Sequence, residues 1–229
     1  MKTAGMDHRT RVGNERRERM RARLLESALT VYARNGLGTS VIQQVIVEAG
    51  VAQGTFYNHF RTNQELLVAV SEELHNDMMR LIEGNVRIFD DPAARIAHGV
   101  RLYLHAARAF PLFARFVCSA GLHAAGPGNL IYEYLPAHIE AGVAVGRFKP
   151  VATAIALDLV AGSALAGVFR IVKGEAPPDY AEALVVPLLC ALGVGEADAR
   201  ALAAVALEPI RVAPGSLLDR TYHATPAAA

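Results

Sequence analysis

Residues 40–60 constrain the fold most, because they predict two short helices joined by a four-residue turn. Ser40 and Gln43 are spaced as a capping box at the start of the first helix. Gly50 ends that helix, since glycine readily takes the left-handed backbone conformation, and Val51 supplies the apolar contact that follows such an ending. The apolar positions of the first helix recur at helical spacing and predict its buried face: Ile42, Val45, Ile46 and Ala49.

The second helix of this stretch is predicted to begin near Ala52 or Gln53 and to be polar on its outer side. Phe56 and Phe60 are four residues apart, so they share one face and are expected to be buried. Amide, hydroxyl and imidazole groups suit base edges and phosphate oxygens, and a glycine permits close backbone approach. The pattern favours major-groove binding, although a bare helical corner occurs in many all-α proteins. The outer residues are Gln53, Gly54, Thr55, Tyr57, Asn58 and His59.

Residues 39–60, TSVIQQVIVEAGVAQGTFYNHF, resemble the DNA-binding motif of the TetR family of bacterial transcriptional regulators. The resemblance spans roughly residues 20–70 and implies that Gln53, Gly54, Thr55 and residues 57–59 contact DNA. It also implies that Ser40 and Gln43 lie near the DNA backbone. The shared pattern comprises Ala49-Gly50-Val51, Gly54-Thr55-Phe56-Tyr57, His59-Phe60, Glu65 and Leu66.

Three positions depart from the family pattern. Val41 replaces a frequent threonine and so removes a hydroxyl that could bind a phosphate. Ile46 replaces a small alanine, which requires rearranged packing between the two helices. Asn63 replaces a common lysine; we expect it to remain at the DNA, with one phosphate contact fewer, and to serve as the N-cap of the next helix.

Composition and charge support a helical protein with a basic N-terminal part. The chain is 52% hydrophobic, lacks tryptophan and shows few strand-like alternations, which predicts an all-α fold. Through residue 63 there are 10 Lys and Arg against 5 Asp and Glu, whereas the rest has 13 against 17. A basic head on an acidic body attracts a polyanion at one end. Nucleic acid fits better than an anionic membrane, because the head lacks a broad apolar face flanked by lysines.

Four regions are expected along the chain. Residues 1–15 are a flexible basic arm, 16–62 the DNA-binding domain, 63–212 a helical effector-binding and dimerisation domain, and 213–229 a flexible tail. A bracing helix is predicted from about residue 14 to residue 35, and a long helix from 63 to 88 links head and body. The arginines of the bracing helix either reach phosphates or form a solvated face with Glu15 and Glu18; they are Arg16, Arg17, Arg19, Arg21 and Arg23.

Residues 109–145 combine aromatic side chains with a few polar groups, as small-molecule pockets do. The same composition is typical of an ordinary helical core. The family resemblance is the main reason to expect an effector pocket here. The expected pocket residues are Phe113, Phe116, Val117, His123, Ile131, Tyr134, Leu135, His138 and Phe169.

A helical hairpin is predicted from residues 152–173 and 179–192, joined by a segment rich in proline. In the TetR family the last two major helices pair with those of a second subunit as a four-helix bundle, and this hairpin is similar in place and character. The resemblance therefore implies a homodimer, the alternative being a hairpin buried within one monomer. The expected interface residues are Asp158, Ala161, Gly162, Leu165, Phe169, Val185, Leu188 and Leu189.

Other classes of protein receive little support. Cys118 and Cys190 have no metal-ligand spacing and are expected to be buried free thiols, which with the absence of a signal peptide favours the cytoplasm. Residues 151–169 are long and apolar enough to span a membrane, but Asp158 interrupts them. His98 and His105 share a helical face without a third ligand, so no metal is expected. No cofactor motif or catalytic motif occurs.

The sequence thus predicts an all-α, dimeric regulator that binds double-stranded operator DNA and responds to a small, largely apolar effector. Repression is the favoured mode, with activation left open. The competing hypothesis is a helical small-molecule-binding protein or enzyme with the same body and no role in gene regulation.

Overall fold

The computed structural model describes residues 4–37, 41–121 and 128–222. These residues contain helices and no strand, which agrees with the all-α prediction. The helices are α1 (Ala4–Asn35), α2 (Val41–Ala49), α3 (Gln53–Tyr57), α4 (Asn63–Val86), α5 (Pro92–Ala109), α6 (Pro111–Ala120), α7 (Ile131–Ala144), α8 (Thr153–Val172), α9 (Tyr180–Leu192), α10 (Glu196–Ala204) and α11 (Leu217–Tyr222).

The head consists of α1, α2 and α3. The second half of α1 carries an apolar stripe, including Leu24, Leu25 and Tyr32, that is fully buried. This stripe packs against α2, while α1 also contacts α4, α6 and α11 of the body. Because one helix belongs to both packing surfaces, the position of the head depends on what α1 contacts in the body.

The long helix α4 connects head and body. Thr62 caps it, since its Oγ1 accepts a hydrogen bond from Glu65 N at 3.0 Å, and the Glu65 side chain in turn accepts from Arg61 N at 2.8 Å. Asn63, which we expected at the N-cap, is instead the first helical residue. The helix then packs against α1, α5, α7 and α11.

Helix α5 is the centre of the body. It has Pro92 in its first turn and Asp91 as the N-cap, whose Oδ1 accepts from Ala93 N at 2.9 Å. It contacts α4, α6, α7, α8, α9 and α10, so most of its circumference is buried. The remaining helices are arranged around it.

Two described segments, residues 4–14 and 217–222, are helical where we expected a flexible arm and a flexible tail. Residues 4–14, which we predicted to be a loose arm, continue α1 without a break; arginine and glutamate are good helix formers, and an Arg11–Glu15 ion pair at 3.8 Å has the favourable spacing of four. Residues 217–222 of the predicted tail form α11, with Leu217 and Leu218 buried against the head and body. Their apolar pair supplies the burial that the composition of the tail did not suggest.

Helix α8 is the most apolar long helix of the described chain. By length and composition alone it could cross a membrane. Only 28% of its most apolar stretch is buried within the subunit. An exposed apolar helix face equally suits contact with another subunit. Cys118 and Cys190, expected to be buried, are half-buried free thiols.

Candidate nucleic-acid interface and internal cavity

The turn between α2 and α3 is closed by backbone hydrogen bonds. Gly50 has a φ of +58°, its N–H donates to Val47 O at 3.0 Å, and Val51 N donates to Ile46 O at 3.2 Å. This is a Schellman ending, which satisfies the last carbonyls of α2 and sets the direction of the exit. The predicted role of Gly50 as terminator is confirmed.

Two phenylalanines hold α3 from the inside. Phe56 and Phe60 are 0% and 3% exposed, and their ring centroids are 6.1 Å apart. The Tyr57 ring meets Phe56 edge to face at 5.5 Å while remaining 44% exposed. The inner face of this short helix is therefore fixed by packing, as predicted, and its outer face is presented on a rigid support.

The outer face of α3 and the following turn is polar and accessible. Gln53, Gly54, Tyr57 and Asn58 are exposed, and Thr55 and His59 are half-buried. A Cβ placed on Gly54 would meet nothing within 4 Å, and its φ is not in the left-handed region, so neither packing nor backbone conformation requires glycine there. Space without a side chain at this point permits another molecule to approach the backbone. DNA contact by these six residues remains a prediction.

The flanking residues expected at DNA differ in their placement. Gln43 is exposed on α2, whereas Ser40 lies outside the described residues. Val41 is only 2% exposed, so this position faces the core and not a phosphate. The Asn63 side chain faces the protein, because its Oδ1 accepts a hydrogen bond from the Tyr32 hydroxyl at 2.7 Å. We therefore leave Asn63 out of the proposed DNA-binding surface.

The arginines of α1 divide into two groups. Arg21 pairs with Glu73 at 2.9 Å and lies 5.8 Å from the Phe60 ring, and Arg19 donates to Glu15 O. Arg16, Arg17 and Arg23 are exposed and make no ion pair with any described carboxylate. Part of the cluster is thus held by contacts within the protein, and the other members add positive charge beside the turn. Contact of these arginines with phosphates remains a prediction.

His59 lies within this positive region. Partial burial lowers the pKa of His59 below its ordinary value of 6.5, and the guanidinium groups of Arg17 and Arg21 lower it further. The imidazole is therefore neutral at pH 7, with one nitrogen able to donate a hydrogen bond and the other able to accept one.

A cavity of about 100 Å³, partly open to solvent, lies in the body between α4, α5, α7 and α8. Its walls are mainly aliphatic and aromatic. The lining residues with polar groups are Glu83 and His138, whose Oε2 and Nε2 are 2.9 Å apart, together with Arg95, Tyr103 and Tyr134. The complete lining is Met79, Ile82, Glu83, Val86, Arg95, Ile96, Gly99, Val100, Tyr103, Ile131, Tyr134, Leu135, His138, Val160, Ala161 and Ala164.

Four of the nine expected pocket residues line this cavity, and all four lie on α7: Ile131, Tyr134, Leu135 and His138. Phe113, Phe116 and Val117 do not, because the inner face of α6 packs against α1 and α8 and is filled by the core. Phe169 is 37% exposed on α8, away from the cavity. His123 lies outside the described residues.

The α4 and α5 contributions were missed from the sequence. Met79, Glu83 and Val86 recur at helical spacing on α4, as Ile96, Val100 and Tyr103 do on α5. That spacing was visible, but it is the spacing of any core-facing stripe, so it could not distinguish a cavity wall from a packed core. Only the relative placement of four helices leaves this space unfilled.

The expected dimer residues also separate into two sets. Asp158, Gly162 and Phe169 are exposed on α8, and Ala161 and Leu165 are half-buried. Val185, Leu188 and Leu189 are 0%, 4% and 0% exposed within one subunit, because this face of α9 packs on α5 and α10. These three residues therefore belong to the core of one subunit. The outward apolar residues of α8 that sequence reasoning did not select are Ile155, Leu159 and Val172.

His98 and His105 do not converge on a metal site. His98 Nδ1 bonds Ala94 O at 3.0 Å and its ring lies 4.1 Å from that of Phe89, while His105 Nε2 lies 3.0 Å from Glu182 Oε1. Among the described residues, no three His, Cys, Asp or Glu side chains are grouped so that they could hold a metal ion.

Comparison with known proteins identifies relatives of both halves of the chain. Residues 24–70 match the family described as bacterial regulatory proteins, tetR family, and residues 91–205 match the tetracyclin repressor-like C-terminal domain. A crystal structure of RolR in complex with resorcinol is 26% identical, with a TM-score of 0.69, covering 86% of this chain and 100% of that one.

Two curated relatives match over the head. The HTH-type transcriptional regulator YvdT of Bacillus subtilis (strain 168) is 32% identical over 69 residues, which is 30% of this chain and 36% of that protein. The HTH-type transcriptional repressor DhaR of Mycobacterium sp. (strain GP1) is 29% identical over 76 residues, which is 33% of this chain and 38% of that protein. The chain thus spans little more than a third of the length of these relatives.

Proposed function

The chain belongs to the TetR family of bacterial regulatory proteins, and on that premise we propose that it is a dimeric transcriptional repressor released from operator DNA by a small, largely apolar effector. The observation that carries this proposal is the outer face of α3. That face is polar and exposed, rests on two buried phenylalanines, and contains a glycine that the fold itself does not require.

The DNA-binding surface comprises side chains able to reach both bases and phosphates. Gln53 and Asn58 offer amide groups, and Thr55 and Tyr57 offer hydroxyls, while Gly54 allows the backbone to come close to the duplex. The unpaired arginines of α1 supply positive charge beside it, which strengthens binding at low salt. Gln43 on α2, together with Ser40, is the proposed contact to the DNA backbone.

A homodimer is proposed through α8. Its outward residues include Ile155, Leu159 and Phe169, which are 62%, 36% and 37% exposed in one subunit, and Gly162 between them allows close helix approach. Two-fold pairing of these faces would give two heads that bind half-sites about 34–36 Å apart, one turn of the duplex. The cytoplasm is the compartment in which such a protein meets DNA.

The cavity between α4, α5, α7 and α8 is the proposed effector site. Its apolar walls suit a small apolar ligand, and α4, which forms one wall, begins directly after the head. An effector that binds more tightly to one arrangement of α4 shifts the population toward the head spacing that belongs to that arrangement. If operator DNA favours a different spacing, effector binding lowers the affinity for the operator. RolR, a structural relative, was crystallised with resorcinol, a compound of suitable size.

The test is binding of the purified full-length protein to DNA from the region upstream of its own gene. Tyr57→Ala and His59→Ala should each weaken binding at least tenfold while leaving the fold and the dimer intact. Val145→Ser is the matched control, because Val145 is 70% exposed on the body and far from α3 in the chain. Unchanged affinity in both head variants would contradict the proposal. Turnover of a small molecule without any DNA binding would favour the competing enzyme or carrier hypothesis.

A further inference from the structure

The size of the cavity limits its ligand to about one ring. At about 100 Å³ it is smaller than the range of roughly 300–1,000 Å³ usual for drug-sized ligands. It is comparable with apolar cavities of about 150 Å³ that hold a benzene molecule. A flat, rigid ring also loses little conformational entropy on binding, in contrast to a flexible chain.

The walls favour an aromatic ligand. The Tyr103 and Tyr134 rings and the thioether of Met79 line the space, and aromatic and sulfur groups pack favourably against aromatic faces and edges. Tyr103 is itself held by an edge-to-face contact with Phe113 at 5.5 Å. Its ring therefore forms a fixed wall.

The lining of the cavity includes a preformed polar pair. Glu83 of α4 and His138 of α7 are joined by the 2.9 Å contact, and their side chains are 17% and 13% exposed. The other carboxylate oxygen of Glu83 lies 3.5 Å from Arg87 Nε, so the carboxylate is held from two sides. The carboxylate oxygens have further lone pairs, which can accept a hydrogen bond from a ligand hydroxyl.

A second hydrogen-bonding group is available on α5. The Tyr103 hydroxyl has no hydrogen-bond partner among the described residues. Its oxygen is not fully buried. Burial raises the pKa of Tyr103, so the phenol stays protonated and can donate or accept a hydrogen bond. Tyr103 is one of the residues that line the cavity.

The charge distribution disfavours an anionic ligand. A ligand carboxylate would lie near the Glu83 carboxylate in a mainly apolar space, where like charges repel. Arg95 is the cation of the lining, but its Nε donates to Phe89 O at 2.6 Å, which ties the guanidinium to the connection between α4 and α5.

We propose that the cavity binds a neutral, single-ring aromatic compound bearing a hydroxyl group, and that the Glu83–His138 pair recognises this hydroxyl. The inference rests on the proposed function, because it names the chemical class of the effector. A ligand held at Glu83 joins α4 to α7 at the end of α4 opposite the head. Binding at this end would displace α4 slightly, and α4 connects to the head at its other end.

The experiment compares three probes of similar size on the full-length protein without DNA: phenol, toluene and benzoate. Isothermal titration calorimetry should give saturable binding of phenol, with toluene and benzoate at least tenfold weaker. Glu83→Gln should weaken phenol binding about tenfold, the worth of one charged hydrogen bond, and leave toluene unchanged. Arg80→Gln is the control variant, because Arg80 lies on α4 outside the lining.

Each outcome decides the matter. Equal binding of phenol and toluene would overturn recognition of a hydroxyl, and tighter binding of benzoate would show that Arg95 recognises an anion instead. If none of the three probes binds, the proposal that the cavity takes a single-ring aromatic compound is wrong. The phenol-to-toluene ratio of the unaltered protein needs no variant, so an unstable Glu83→Gln would not prevent the test. Operator binding measured separately distinguishes the two proposals: DNA binding that phenol does not change rejects this inference and keeps the DNA-binding proposal.

Discussion

Tyr32 of α1 and Phe116 of α6 meet edge to face, with their ring centroids 5.9 Å apart and both side chains fully buried. The Tyr32 hydroxyl also donates to Asn63 Oδ1, at the start of α4. One side chain thus contacts the head, the connecting helix and the body. We regard this residue as the closest mechanical link between the proposed effector domain and the DNA-binding surface.

Removing the two contacts of Tyr32 separately should give different losses of stability. Tyr32→Phe keeps the ring contact and loses the hydroxyl, so we expect the free energy of unfolding to fall by about 1 kcal/mol. Phe116→Ala leaves a cavity in the core and should cost about 3–5 kcal/mol. Urea unfolding followed by circular dichroism measures both. Equal losses in the two variants would contradict this expected difference between the hydroxyl and the ring contact.

Gly54 and Gly50 should respond oppositely to substitution by alanine. Gly54→Ala meets open space and improves helix propensity, so stability should be unchanged or rise by up to about 1 kcal/mol while DNA affinity falls at least tenfold. Gly50→Ala forces a side chain into φ +58° and should cost about 1–2 kcal/mol. Thermal unfolding and fluorescence anisotropy with operator DNA give the two readouts. Full DNA affinity in Gly54→Ala would show that close backbone approach is not needed.

Leu159→Glu should convert a dimer into a monomer. Leu159 lies on the outward face of α8, where a buried carboxylate at a two-fold interface would be unpaired. Analytical ultracentrifugation at micromolar concentration reports the mass. Ile88→Glu is the control, since Ile88 is 74% exposed just after α4 and should leave the mass unchanged. A Leu159→Glu protein of unchanged mass would place the subunit contact elsewhere.

The C-terminal helix should stabilise the head. Leu217 is fully buried, its N–H donates to Asp77 Oδ2 at 2.7 Å, and Arg220 pairs with Glu26 of α1 and Glu73 of α4. Leu217→Ala should therefore cost about 2–5 kcal/mol. Arg220→Ala, which removes half-exposed ion pairs, should cost about 1 kcal/mol or less. Hydrogen exchange should show faster exchange in α1 and α4 for Leu217→Ala, and unchanged exchange there would contradict this role of α11.

Stability should fall at mildly acidic pH. Burial lowers the pKa of both His75 and His98 below 6.5, which is close to the value in the unfolded chain. For each histidine, at pH values between its folded-state pKa and its unfolded-state pKa, the unfolded chain binds more protons than the folded chain. The free energy of unfolding therefore decreases as pH falls through about 6.5. Urea midpoints at pH 7.5 and 5.5 measure the change. His98→Phe keeps a ring against Phe89 and should reduce the difference between the two midpoints; an undiminished difference would rule out His98 as a source.

The sequence located the head more reliably than the cavity. Gly50 and the Phe56–Phe60 pair are local signals, because a left-handed glycine and a spacing of four act within one or two turns of chain. Phe113 and Phe116, expected in a pocket mainly from the family resemblance, are core residues. An aromatic side chain looks the same in sequence whether it faces a cavity or a packed helix.

What the sequence determined by itself is most of the helices and the chemistry of the outer face of α3, since helix propensity, end signals and the spacing of apolar residues operate over a few neighbours in the chain. Tertiary structure alone decided that Glu83 pairs with His138 beside a cavity, that Asn63 binds Tyr32, and that α11 packs onto α1 and α4. These contacts join residues tens to hundreds of positions apart, and they depend on how whole helices fill space around α5. No local pattern of residues records that outcome.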